Sequence, residues 1–203
     1  MKLLIATRNK HKLEELRQLF DFPGLALLAA DEVPGLPEDV VEDADTFEGN
    51  ALKKARELCH ASGLWTMADD SGLEVIALGG APGVFSARYA GEPCSYADNN
   101  AKLLRELEGA SDRRARFRCA IALCAPEGRE WTVAGECPGM ILERSRGMAG
   151  FGYDPLFVPE GFDRTFAELD AAAKNSVSHR GEAMRRAAAA WGGMLAAEAL
   201  MQA

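Results

Sequence analysis

Apolar residues come in short bursts along the chain, and the spacing inside each burst predicts what it forms. "KLLIA" at the N-terminus and "LALLAA" at residues 25–30 are unbroken runs of strand length and read as buried strands. Between them, "HKLEELRQLF" places Leu13, Leu16, Leu19 and Phe20 on one face at helical spacing. The pattern lapses over residues 31–45, "DEVPGLPEDVVEDAD", a proline-rich acidic stretch that predicts a loop, either a linker or a functional one. A long helix is predicted over "TFEGNALKKARELCHAS", with Asp45 and Glu48 spaced as a capping box. "LWTMA" and "LEVIAL" predict strands on either side of "DDSG", whose residue types are those of a turn. "YADNNAKLLRELEG" predicts a helix. "RARFRCAIALCA" and "REWTVAGECPGMIL" predict two longer strands joined as a hairpin at "PEG". A last helix starts near Ser178 and runs through the alanine-rich tail. Helices and strands alternating in the first half predict an α/β fold, a mixed sheet with helices on its faces, in a single domain over residues 1–203.

Composition narrows the class without changing that picture. A chain of 203 residues, 48% hydrophobic and 27% charged, buries a large core without disulfides or structural metal. The net charge of −8 argues against docking on a nucleic-acid polymer or an anionic membrane, both of which favour a basic surface. It leaves room for one nucleotide, which needs only a local nest of cations and backbone N–H groups. The cysteines, Cys59, Cys94, Cys119, Cys124 and Cys137, are odd in number and form no C-x-x-C, so neither a disulfide framework nor a zinc site is indicated. "LLIA" is too short for a signal peptide, and no apolar stretch reaches membrane-spanning length. A reducing, cytoplasmic setting is expected.

Candidate chemistry collects where strands end. "ATRNKHK" joins the first strand to the first helix, and a helix N-terminus with lysines beside it suits phosphate; the bland alternative is a polar turn with solvated lysines. On the long helix, Phe47, Ala51, Lys54 and Leu58 share a stripe, so Lys54 either snorkels to water or meets an anion, while Lys53 faces away. Glu38, Asp39, Glu42, Asp43 and Asp45 crowd the loop before that helix, and Asp69 and Asp70 follow a strand. Carboxylates from two segments can converge on a hard divalent cation, or the loop can be a solvated charge run. Ligands in open α/β sheets bind outside the carboxyl ends of strands, where both "TRNKHK" and "DDSG" are expected. "GFGYDP" sets Phe151 and Tyr153 among glycines, a pattern that fits either base stacking or an inward-packed turn. "KNSVSHRGEAMRR" puts His179 and Arg180 in the first turn of the last helix, with Ser178 as N-cap. Cations there oppose the helix dipole, a local conflict of the kind found at sites. No nucleophile elbow occurs.

Taken in order, "ATRNKHK", "TFEGNALKKA", "ADDSGLEVIALGGAPGVFSARYAG", "GFGYDPLF" and "KNSVSHRGEA" closely resemble the inosine triphosphate pyrophosphatase family over nearly the whole chain. The resemblance implies an elongated α/β fold with two lobes around a central cleft, usually a homodimer. It implies Mg²⁺-dependent hydrolysis of ITP, dITP and XTP to the monophosphate and pyrophosphate. By similarity, Thr7, Arg8, Asn9, Lys10, His11, Lys12 and Lys54 hold phosphates. Glu42 and Asp70 match the metal-binding acids, Asp70 also the proton acceptor, and Ser71 a substrate contact. Phe151, Gly152, Tyr153, Asp154, Lys174, His179 and Arg180 match the base and substrate pocket. The family's first loop often reads T-G-N-x-G-K; here Arg8 and His11 stand in place of its glycines, and Arg8 adds a charge. Two rival functions remain on this reading: a purine sensor without turnover, and a pyrophosphatase for another nucleotide.

Overall fold

Six strands form one mixed sheet. They are β1 (Lys2–Ile5), β2 (Ala26–Ala29), β3 (Trp65–Val75), β4 (Arg114–Cys124), β5 (Glu130–Ile141) and β6 (Phe157–Pro159), in the order β2-β1-β3-β4-β5-β6. The computed structural model describes residues 1–7, 16–17, 20 and 23–201. β1 pairs in parallel with β2 (Leu3 opposite Leu27) and with β3 (Leu4 opposite Thr66), whereas β5 and β6 are antiparallel (Met140 opposite Val158). Among the described residues, helices α1 (Phe47–Ser62), α2 (Tyr96–Glu106), α3 (Ala171–Val177) and α4 (His179–Met201) accompany the sheet. The helix expected over "HKLEELRQLF" falls largely outside the described residues; Leu16 and Phe20, from its apolar face, are buried. None of the described helices is long and apolar enough to cross a membrane.

Two local expectations are corrected. "DDSG" is not a turn between two strands, because β3 runs straight through it. Trp65, Met67 and Ala68 are buried at one end of β3 and Leu73 and Val75 at the other, and β1 and β4 flank the strand. Packing at both ends and membership of the sheet override the local turn preference. At the start of α1 the cap is Thr46 rather than Asp45. Thr46 is extended, and its hydroxyl accepts the Gly49 N–H at 3.0 Å, which places Glu48 in the first turn beside the positive end of the helix dipole. Ser178 serves α4 as expected, accepting the Gly181 N–H at 3.1 Å.

The chain divides into two compact units, at points that fall inside β3, β4, β5 and α4. The first comprises residues 1–70, 120–135 and 183–203, the second residues 71–119 and 136–182. In the first, Leu4, Val40 and Leu58 form a core that seats the acidic loop against β1 and α1. There too, Trp65 and Trp131 stack with ring centroids 5.8 Å apart, and the Arg129 guanidinium lies against both rings. The second unit packs around Phe117, Phe157 and Phe166, whose rings lie 4.7–5.9 Å apart, with Leu73, Leu103 and Tyr153 closing over them. Rings of this kind each contribute about 3–5 kcal/mol when buried, so this cluster is the main support of the residues around it.

Burial pushes the Cys124 and Cys137 thiols up to about 12 from an ordinary 9.0. Below about pH 9 both states keep the proton and the fold has its full stability; from about pH 9 to about 12 the unfolded chain sheds it first, so stability falls as pH rises. Urea midpoints measured from pH 7 to 10.5 should decline for the wild-type chain, and less steeply for Cys124→Ala/Cys137→Ala. Identical slopes would remove the thiols as the cause.

Candidate active site

In the first unit a cavity of about 320 Å³ is lined by Thr7, Glu38, Glu42, Lys54 and Asp69 among others. Its chemistry centres on Lys54. The apolar stripe of α1 (Phe47, Ala51 and Leu58, all buried) carries the lysine inward, and its ammonium meets anions instead of snorkelling to water. It pairs with the Glu42 carboxylate and donates to the Asp69 carbonyl at 3.0 Å. Burial works to lower the lysine's pKa, but Glu42, with Asp69 and Asp70 behind it, more than offsets this and leaves it above its ordinary value. The lysine therefore stays charged throughout the neutral range.

The acidic loop sorts its carboxylates by what they reach. Glu42 turns to Lys54, Asp43 pairs with Lys53 at 2.6 Å, and Asp39 accepts the Val40 N–H at 2.9 Å. Asp70 receives the Asn50 amide N–H on Oδ2 at 3.1 Å, and the same amide accepts the Ala44 N–H at 2.9 Å. Gly49 permits this closeness, since a Cβ there would stand 2.8 Å from that of Ala44.

Among the described residues no three His, Cys, Asp or Glu side chains form a ready-made metal cage. Mg²⁺ does not need one: it takes one or two carboxylates and fills its shell with water and phosphate oxygens. Glu42 and Asp70 supply such hard oxygen donors, and the charged ammonium already drawn in beside them shows that the spot favours a cation. The residues fit the group.

The second unit builds another cluster, around the "GFGYD" segment. Asp154 is buried, accepting the Phe151 N–H at 2.8 Å and the Lys174 ammonium at 2.5 Å. Gly150 has φ +77°, and any Cβ there would land on the Asp154 carboxylate, so glycine is required. Asn100 donates to the Gly152 carbonyl at 3.0 Å, tying the segment to α2. Phe151 is 45% exposed, with Lys174 and Arg180 within cation–π range at 4.9 and 5.7 Å. Arg180 also donates to Ser71 Oγ at 3.2 Å. His179 is buried with its ring stacked on Phe117 at 4.8 Å. Tyr153 turns into the core and donates its hydroxyl to the Ser86 carbonyl at 2.9 Å, so its ring serves packing.

The structure thus gathers Thr7, Glu42, Lys54 and Asp70 in the first unit, and Ser71, Phe151, Gly152, Asp154, Lys174, His179 and Arg180 in the second. Arg8, Asn9, Lys10, His11 and Lys12 lie outside the described residues. A larger cavity in the second unit, about 820 Å³, is walled by Ile76, Pro138, Met140, Val158 and Phe162 and contains none of the candidate residues. Sequence reading overlooked Asn50 and Asn100. Asn50 had a signal, for it lies one turn before Lys54 on the same buried stripe, where an amide must find partners.

A family model described as the Ham1 family matches residues 3–190. The chain is 52% identical over 189 residues to a dITP/XTP pyrophosphatase of Desulforamulus reducens, covering 92% of this chain and 94% of that one. It is 53% identical over 185 residues to a dITP/XTP pyrophosphatase of Geobacter sulfurreducens, covering 90% and 92%. The solved Ham1 protein of Staphylococcus aureus superposes with a TM-score of 0.89 at 38% identity, covering 96% of this chain and all of that one.

Lys54→Met should destabilise the chain by about 1–3 kcal/mol, because it leaves half-buried carboxylates without their cation. Glu42→Gln removes one of them, so the double variant should cost less than the sum of the singles when chemical denaturation is measured. Strict additivity would mean that the pair carries no coupling.

Proposed function

The chain belongs to the Ham1 family, and on that premise we propose that it hydrolyses ITP, dITP and XTP to the nucleoside monophosphate and pyrophosphate, with Mg²⁺. It is a nucleoside triphosphate pyrophosphatase, a hydrolase acting on purine nucleotides outside the standard four. The single observation that carries the chemistry is the charged Lys54 ammonium held by Glu42 beside Asp69 and Asp70. We place the protein in the cytoplasm as a homodimer, acting on free nucleotides.

Each residue has a stated task. Lys54 offers a permanent positive charge to the triphosphate. Thr7 lines the same cavity, and Arg8, Asn9, Lys10, His11 and Lys12 follow it in sequence as further phosphate holders. Mg²⁺, held when bound by Glu42 and Asp70, supplies charge neutralisation on the phosphates and lowers the pKa of water. Asp70 accepts a proton from the water that attacks the α-phosphorus. As the new P–O bond forms, the bond to the bridging oxygen breaks and its electron pair leaves with pyrophosphate.

Selectivity falls to the second cluster. Phe151 presents an exposed ring to a base, with Lys174 and Arg180 beside it and Ser71 bonded to Arg180. ITP carries a carbonyl oxygen at the six-position where ATP carries an amine. A guanidinium donates to the oxygen and finds no acceptor in the amine. Each buried donor left unpaired costs about 1–3 kcal/mol, so strong discrimination takes more than one.

Pyrophosphate release should be abundant from ITP, dITP and XTP, scarce from ATP, abolished by EDTA, and lost in Asp70→Asn. Arg180→Ala should keep its fold and lose most ITP turnover. Orthophosphate as the product would move the attack to the terminal phosphorus; binding of ITP without release would leave a sensor; preference for a modified pyrimidine would redirect the substrate class.

A further inference from the structure

We infer that Asn50 is a positioning residue for Asp70, locking that carboxylate to the acidic loop that carries Glu42. This deepens the proposed function and rests on it for the role of Asp70. Asn50 is fully buried on α1, where an amide costs free energy unless both ends are bonded. Both are: Nδ2 donates to Asp70 Oδ2 at 3.1 Å and Oδ1 accepts the Ala44 N–H at 2.9 Å. One side chain therefore joins β3, α1 and the loop two residues beyond Glu42.

The choice of residue is chemically narrow. The position needs a donor on one side, an acceptor on the other, and no charge. Aspartate keeps the acceptor for Ala44 but sets a second carboxylate against Asp70. Leucine has similar bulk but strands the Ala44 N–H and removes the donor to Asp70. A lysine here would set a permanent positive charge against Asp70 and compete with a metal ion for its oxygens. A neutral amide orients Asp70 while leaving its charge for a proton or a metal ion, as hydrogen-bonded supports of ligating carboxylates do. The two neighbouring side chains on this face divide the work: Lys54 addresses Glu42 and the Asp69 carbonyl, and Asn50 addresses Asp70 and Ala44.

The test is a cycle of Asn50→Leu with Asp70→Asn, read two ways on the full chain. Mn²⁺ affinity without nucleotide is followed by electron paramagnetic resonance, and kcat and KM are measured with ITP and Mg²⁺. Asn50→Leu should weaken Mn²⁺ binding and lower kcat by about 10–100-fold, with little change in KM. Once Asp70→Asn is present, Asn50→Leu should weaken Mn²⁺ binding no further, because the group it positioned is gone. Additive losses, or wild-type kcat and Mn²⁺ affinity in Asn50→Leu, overturn the inference. If Asn50→Leu does not fold, Asn50→Ser, which removes the amide without adding a charge, takes its place in the cycle; if neither folds, Asn50 is a structural residue and the inference falls. A wild-type chain that couples the two residues in Mn²⁺ binding but releases no pyrophosphate would sink the proposed function and leave the positioning role standing.

Discussion

Carboxylates do not gather on one side of a half-buried cavity without a cation to hold them. Lys54 is that cation. Removing it would leave Glu42, Asp69 and Asp70 repelling one another in surroundings where charges are poorly screened. Much of the first unit is arranged to bring this ammonium inward. The buried stripe of α1 carries it, Val40 anchors the acidic loop into the core with Leu4 and Leu58, and β3 delivers the two aspartates in extended chain. The arrangement is also what makes the spot useful. A lysine ammonium among hard oxygens offers charges of both signs, which is what the proposed binding of a triphosphate with Mg²⁺ draws on.

The second unit repeats the device with different parts. Asp154 is buried and survives there because Lys174 and the Phe151 N–H bond to it. The bond to its own neighbour folds the glycine segment tightly, and Asn100 secures it from α2. Beneath lies the Phe117, Phe157 and Phe166 cluster, with the His179 ring stacked on Phe117. In both units, then, a lysine and a donor N–H hold the acids, and a buried or half-buried asparagine fastens the segment that bears them. Phe151 is the exposed ring of this cluster, while Tyr153, its neighbour by two residues, is spent on packing.

What could be read from residues alone followed the range of the forces involved. Apolar periodicity is a property of a single segment, and it found the long helix, the two long strands and the last helix. The Lys54 stripe was readable for the same reason, as was the Ser178 cap. Five motifs in order were enough to place the chain in its family. The sequence by itself could not say whether "DDSG" turns or continues a strand, because its residue types favour a turn and only its place in the sheet, within β3, holds it extended. Nor could residue types choose among five acids in one loop, where only the family resemblance pointed to Glu42, since reaching Lys54 depends on how the loop is pinned to the core. The pairs that matter most, Glu42 with Lys54, Asn50 with Asp70 and Ser71 with Arg180, join residues 12, 20 and 109 positions apart. Spacing along the chain encodes which face a residue takes. Which partner waits opposite that face is set by the packing of other segments, and only the tertiary structure decides it.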